Sequence, residues 1–114
     1  YFKFNRLNIV GFDEFSKLEI KVGTIIKAEK VPGASKLVKL IVNLGNEERQ
    51  IVAGLAPHYS LDELINKEIV ILSNLTPKKM FGLESQGMLL AAVDGDKVAL
   101  LKPDKEVKPG ASVG

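Results

Sequence analysis

"EIKVGTIIKAEKVPGASKLVKLIVNLGNEERQIVAGLA", Glu19 to Ala56, is the stretch whose reading decides the fold. Its first third alternates apolar and polar residues through Ile20, Val22 and Thr24, the period of a half-buried strand. Beyond Ile25 the phase shifts, which predicts a long, bent strand with Gly23 as the bulge or tight bend. "PGAS" supplies a turn, and "KLVKLIVNLG" returns as a second strand with Leu37, Val38, Leu40 and Val42 as apolar surface. Gly45 and Asn46 tolerate positive φ and reverse the chain again, and "RQIVAGLA" follows as a third strand. Three strands joined by short turns form a meander.

The flanks extend this pattern. "SLDELINK" begins with Ser60 and places Glu63 three residues later, the spacing of a capping box, so a short helix is predicted after strand three. "EIVILSNL" reads as strand four, "GMLLAAV" as strand five, "DGD" as a hairpin turn and "KVALLKP" as strand six. Between strands four and five, "TPKKMFGLESQ" reads as a loop, long enough to suspect function. Upstream, Phe12, Phe15 and Leu18 recur at helical spacing, with Asp13 as the expected cap. Residues 1–11 read as a linker or N-terminal arm and residues 12–114 as one domain, with "DKEVKPGASVG" as a tail. Strands one to three, a helix, then strands four and five is the order of an all-β, five-stranded Greek-key OB-fold barrel, here with short helices and an appended C-terminal extension.

Composition narrows the chemistry. The 114 residues include no cysteine, which excludes disulfides, thiolate zinc sites and cysteine nucleophiles. His58 is the single histidine, too few for a His-rich metal site, and no metal or other cofactor is expected. No apolar run approaches the ~20 residues of a membrane helix, so no membrane partner is expected. A reducing, cytoplasmic setting is compatible with these features. The net charge is +2, and among the basic residues only Arg6 and Arg49 are arginines. Lysine acts as a point charge for phosphate rather than a bidentate reader of bases, so a nucleic-acid partner would be recognised by backbone and shape.

The chemistry-bearing residues gather in "NLTPKKMFGLESQGMLLAAV", Asn74 to Val93. Pro77 cannot donate to a ladder and ends strand four, which leaves Lys78 and Lys79 to project into water. Gly82 and Gly87 let the segment fold back and hold Ser85 and Gln86 near the rim of the barrel. A Lys-Lys pair alone is more often a solvated turn than a site, and Met80 alone reads first as a plug in the barrel end. Lys36, Lys39 and Arg49 lie on strands two and three or their ends, the binding face of OB folds. With no tryptophan, and Tyr59 and Phe81 the only central aromatics, a folded RNA surface suits this chain better than a splayed single strand. The "DGD" turn, Asp94–Asp96, lacks the other ligands of a calcium loop, and "KKMFGLES" lacks the second lysine of a synthetase ATP-site loop.

Four segments together, "KLEIKVGTIIKAEKVPGASKL", "RQIVAGLAPHY", "NLTPKKMFGLESQGMLLAA" and "LLKPDKEVKPGASV", resemble the tRNA-binding domain at the C-terminus of many methionyl-tRNA synthetases. Stand-alone structure-specific tRNA-binding proteins, endothelial monocyte-activating polypeptide and a branch of secretion chaperones resemble it too. The likeness runs from Phe12 to Val113. It implies a non-catalytic module that binds the outer corner of tRNA for a methionyl-tRNA synthetase catalytic part, in cis or in trans, and that forms a homodimer. The positions matching the family's motifs are Lys36, Arg49, Asn74, Lys79, Met80, Ser85 and Met88; with Lys78 and Gln86 they form the expected tRNA-binding set. Two departures stand out. Phe81 replaces an arginine common in the family, and Ser35 replaces an aspartate. Phe81 favours the alternative of a secretion-type peptide-binding chaperone of the same fold; a pure assembly domain is a third reading.

Overall fold

The structure is a computed structural model and describes residues 8–114. It is mostly β, with two short helices. The elements in chain order are α1 (Phe12–Phe15), β1 (Ile20–Val31), β2 (Ala34–Asn43), β3 (Glu48–Ala53), α2 (Leu61–Leu64), β4 (Glu68–Leu72), β5 (Lys78–Met80), β6 (Leu83–Ser85), β7 (Met88–Leu89), β8 (Ala91–Asp94), β9 (Lys97–Leu100) and β10 (Ser112–Val113). Of the arm expected over residues 1–11, residues 1–7 lie outside the described residues; Ile9 and Val10 are exposed.

The meander read from Glu19 to Ala56 is present. All pairs in the main sheet are antiparallel, in the order β3-β2-β1-β4-β7, with β10 added to the start of β1. β1 pairs through Ile20–Thr24 with β4 and through Thr24–Val31 with β2. The strand therefore serves as the hinge of the fold. Its bend is a register shift between Ile25 and Lys27, so the bulged residue is Ile26 and not Gly23. Gly23 serves close packing instead, because a Cβ there would lie 2.4 Å from Val42 Cγ1 and 2.9 Å from Leu44 Cδ2. The glycine lets the second strand close tightly over the first.

Alternation along β2 puts Val38, Leu40 and Val42 fully inside. With Ile25, Ile51, Leu64, Ile69 and Ile71 they form the main core. A smaller cluster of Val31, Ala34 and Val52 lies beyond it, with Leu37, Met80 and Leu83 packed against it. α2 is a single turn that lowers Leu64 into the main core, and the predicted capping box is formed: Ser60 Oγ accepts from Glu63 N–H (3.2 Å), and Glu63 Oε1 accepts from Ser60 N–H (3.0 Å). At α1, however, Gly11 is the N-cap and no side chain caps it; Asp13 lies inside the turn.

Three expectations beyond strand four change. The segment read as a loop is the β5–β6 hairpin, with Lys78 opposite Ser85 and Met80 opposite Leu83. Its two turn residues, Phe81 (φ 50°) and Gly82 (φ 77°), both have positive φ, as a type I′ turn requires. The turn-favouring residues there hide a strand pair too short to show a period. "GMLLAAV" is divided: Met88–Leu89 adds β7 to the main sheet, while Ala91–Asp94 leaves it to pair with β9 as a separate ribbon. Among the described residues no backbone ladder joins β3 to β7, so the five-stranded barrel is not closed by strand pairing.

The tail is part of the fold. Val22 N–H donates to Ala111 O (2.8 Å) and Gly110 N–H to Val22 O (2.7 Å), which stitches Pro109–Val113 along β1.

Two outcomes check these contacts. Gly87 has φ 143°, and a Cβ there would sit 3.0 Å from Leu72 O; Gly87→Ala is expected to cost about 1–3 kcal/mol of backbone strain, read by denaturant unfolding. Glu63 has its carboxyl held below the ordinary range, first by the Ser60 backbone N–H and then by the Ser60 hydroxyl. A depressed carboxylate stabilises the fold above its unfolded value, about 4.3, and loses that contribution as pH falls through the lower folded value. Glu63→Gln keeps the box without the charge, so the gap between melting temperatures at pH 7 and pH 3 should narrow.

Candidate nucleic-acid interface

The nine residues expected to form the site divide into two groups. The first group holds the structure together. Ser85 is buried; its Oγ accepts from Val52 N–H (3.0 Å) and donates to Gly87 O (3.2 Å). Gln86 Oε1 accepts from Gln50 N–H (3.0 Å), and Gln86 N–H donates to Gln50 O (2.7 Å). Gln50 Nε2 answers by donating to Glu84 O (2.9 Å). Gln50 and Val52 are two apart on β3, so their backbone N–H groups face the edge away from β2. Side chains and backbone of Glu84–Gln86 thus complete that edge where a strand is missing.

Arg49 works alongside them. Its Nη1 donates to Ser73 O (2.7 Å) and Gln86 O (3.0 Å), and its Nε bonds Glu47. One guanidinium therefore joins β3, the end of β4 and the exit of the hairpin. Asn74 plays a similar part at the other end. Its Oδ1 accepts from Glu19 N–H (2.9 Å) and its Nδ2 donates to Lys17 O (2.7 Å), tying the α1–β1 connection to the end of β4.

The second group faces outward. Lys36, Lys78 and Lys79 are exposed and make no ion pair among the described residues. Lys39 is different. It lies 3.3 Å from Glu29, which Lys27 also approaches at 3.4 Å, and these two cations, Lys39 before Lys27, hold the Glu29 carboxyl below its usual range. Its charge is already half answered within the sheet.

Met80 sits between two clefts and lines both. One, of about 410 Å³, runs between β3 and the hairpin and is walled by Ile51, Ala53, Leu75, Lys78 and Met88. The other, of about 590 Å³, opens between the hairpin tip and the β1–β2 turn, walled by Ser35, Lys36, Leu37 and Phe81. The structure thus brings Lys36, Lys78, Met80, Ser85 and Met88 around the two clefts. Alternation along β5 sends Lys79 to the opposite face from Lys78 and Met80, where it stands across from Glu84 in register. Sequence reading misses Gln50. Its signal is its place on an edge strand whose outward N–H groups need partners.

The chemistry on offer is plain: apolar clefts rimmed by uncompensated lysine charge, with no cluster of metal-ligating side chains among the described residues. No described helix is long and apolar enough to cross a membrane.

Residues 20–112 match the family model described as "Putative tRNA binding domain". The chain is 55% identical over 108 residues to methionine–tRNA ligase of Thermococcus onnurineus, which covers 95% of this chain and 15% of that enzyme. Among solved structures, a MetRS-related protein from Pyrococcus horikoshii matches at a TM-score of 0.88 with 47% identity, over 94% of this chain and 99% of that one. The CsaA chaperone protein from Picrophilus torridus matches at a TM-score of 0.86 with 33% identity, over 93% and 100%. The chain therefore spans only about 15% of the ligase, yet 99% and 100% of the two solved chains. A match that runs from residue 20 to 112, through the meander, the hairpin and the tail, shows that this chain belongs to the tRNA-binding domain family related to the C-terminal region of methionyl-tRNA ligases.

Proposed function

We propose that the chain is a non-catalytic, structure-specific tRNA-binding module of the cytoplasm, serving a methionyl-tRNA synthetase in cis or in trans. The observation that carries this reading is the set of exposed lysines, Lys36, Lys78 and Lys79, on two segments that flank Met80. Lysines of this kind attract phosphate wherever the backbone of a folded RNA presents it, with little dependence on base sequence. The module would hold tRNA near a catalytic part and raise its local concentration.

In this reading the fold is an OB barrel. Gln50, Val52, Ser85 and Gln86 take the place of a ladder at its last seam. Arg49, Asn74, Ser85 and Gln86 then act on tRNA through the segments they hold, while Lys36, Lys78, Lys79, Met80 and Met88 supply the contact surface. The module also dimerises. Support comes from α1 and the chain after it, which leave Phe12 (78% exposed), Phe15 and Leu18 open to solvent; Leu75 and Val113 are exposed as well. A two-fold contact would cover such a face and double the basic surface.

The likeness to a CsaA chaperone favours a second reading, in which the cleft between β3 and the hairpin holds an apolar peptide side chain. Salt separates the two. Binding to bulk folded tRNA is expected to exceed binding to an unstructured RNA and to fall linearly in log affinity against log salt. Binding of an unfolded polypeptide that persists at high salt, without tRNA binding at low salt, would establish the chaperone instead.

Role separation gives a further check. Lys78→Glu should leave the melting temperature near wild type, weaken binding of many tRNAs about equally and lower the salt slope by about 1 or more. Arg49→Ala should instead cost about 2 kcal/mol of stability, because two backbone carbonyls lose a charged donor.

A further inference from the structure

Phe81, at the tip of the hairpin, is a residue that stability does not explain. It takes φ 50° at the first turn position, where a type I′ turn favours asparagine, aspartate or glycine. A bulky side chain in that region is an outlier and carries strain. Nor is the strain offset by burial: the residue is 67% exposed. Strain without packing gain is the mark of a residue held for contact with something else.

Its surroundings say what that is. Phe81 and Met80 of the hairpin and Gly33–Leu37 of the facing turn line the larger cleft, with Lys36 among them. Gly33 has φ 80° and open space where a Cβ would be, so at that position the facing turn adds no side-chain bulk. An exposed aromatic face, a thioether, an aliphatic wall and one unpaired ammonium suit a flat, π-faced group attached to a phosphate. We propose that this cleft takes a single unstacked nucleobase of the bound RNA, stacked on Phe81, with the flanking phosphate on Lys36. The proposal rests on the tRNA-binding reading and adds a base to what was otherwise a purely backbone contact. Phe81 supplies the ring, and Ser35, next to Lys36 on the facing turn, carries no charge to offset the ammonium.

The sequence contains no tryptophan, so Phe81→Trp gives a single reporter at the cleft. Its fluorescence is expected to be quenched on titration with bulk tRNA, with a midpoint matching the Kd found by filter binding. Phe81→Asn, a residue at ease with positive φ, should hold or raise the melting temperature. It should weaken tRNA binding by about fivefold to a hundredfold, the range for loss of one base–aromatic stack, with the salt slope unchanged because no phosphate contact is lost. Wild-type affinity in Phe81→Asn, or tRNA binding without change in the Phe81→Trp signal, would overturn the base cleft and leave the tRNA-binding reading standing. An unfolded polypeptide that quenches Phe81→Trp and displaces tRNA would overturn it in favour of a peptide cleft. Failure of the wild-type chain to bind tRNA at low salt would overturn both.

Discussion

The edge of β3 is the constraint on which the rest depends. A strand paired on one side only leaves outward N–H and C=O groups that must find partners. Here the partners are Ser85 Oγ on Val52 N–H and both the backbone and side chain of Gln86 on Gln50. Because those partners belong to the segment leaving the β5–β6 hairpin, closing the sheet edge and positioning the hairpin are one event. Gly87 makes the approach possible, since any larger residue would meet Leu72 O and Ile51 Cδ1. Arg49 then fastens the same corner through two carbonyls.

This arrangement explains why polar and basic residues crowd one short stretch. Polar groups facing inward hold the hairpin against β3, and alternation carries Lys78 toward the cleft and Lys79 to the opposite face. At the clefts the charges of Lys36 and Lys78 form no ion pair among the described residues, while elsewhere on the sheet Glu29 takes up Lys27 and Lys39. A rim that is basic, clefted and mechanically anchored can press on a folded RNA without first ordering a loop, which keeps the entropic cost of binding low.

Much of the fold is legible in the sequence because periodicity is strong where one face is buried. The meander, the Ser60–Glu63 capping box and the helix between strands three and four all follow from local pattern. One ambiguity misplaces the bulge: a glycine in a strand signals either a bend or a close approach, and only the three-dimensional position of Val42 and Leu44 decides for the latter at Gly23. The hairpin is invisible because three-residue strands carry no readable period. In the candidate site, residue type points to the right region but not to role. Ser85, Gln86, Asn74 and Arg49 are hydrogen-bonding groups in either use, and whether they face backbone or solvent is settled by long-range pairing, as Asn74 with Glu19 shows.

The most direct test of tRNA binding at the hairpin rim is a backbone amide shift map of the labelled chain titrated with folded tRNA. The expected perturbations fall on Gly33–Leu37 and Lys78–Leu83, the two segments that meet at Met80, while the Ala91–Leu100 ribbon stays unmoved. Perturbations confined to the ribbon or to Phe12–Leu18, with the hairpin silent, would contradict it.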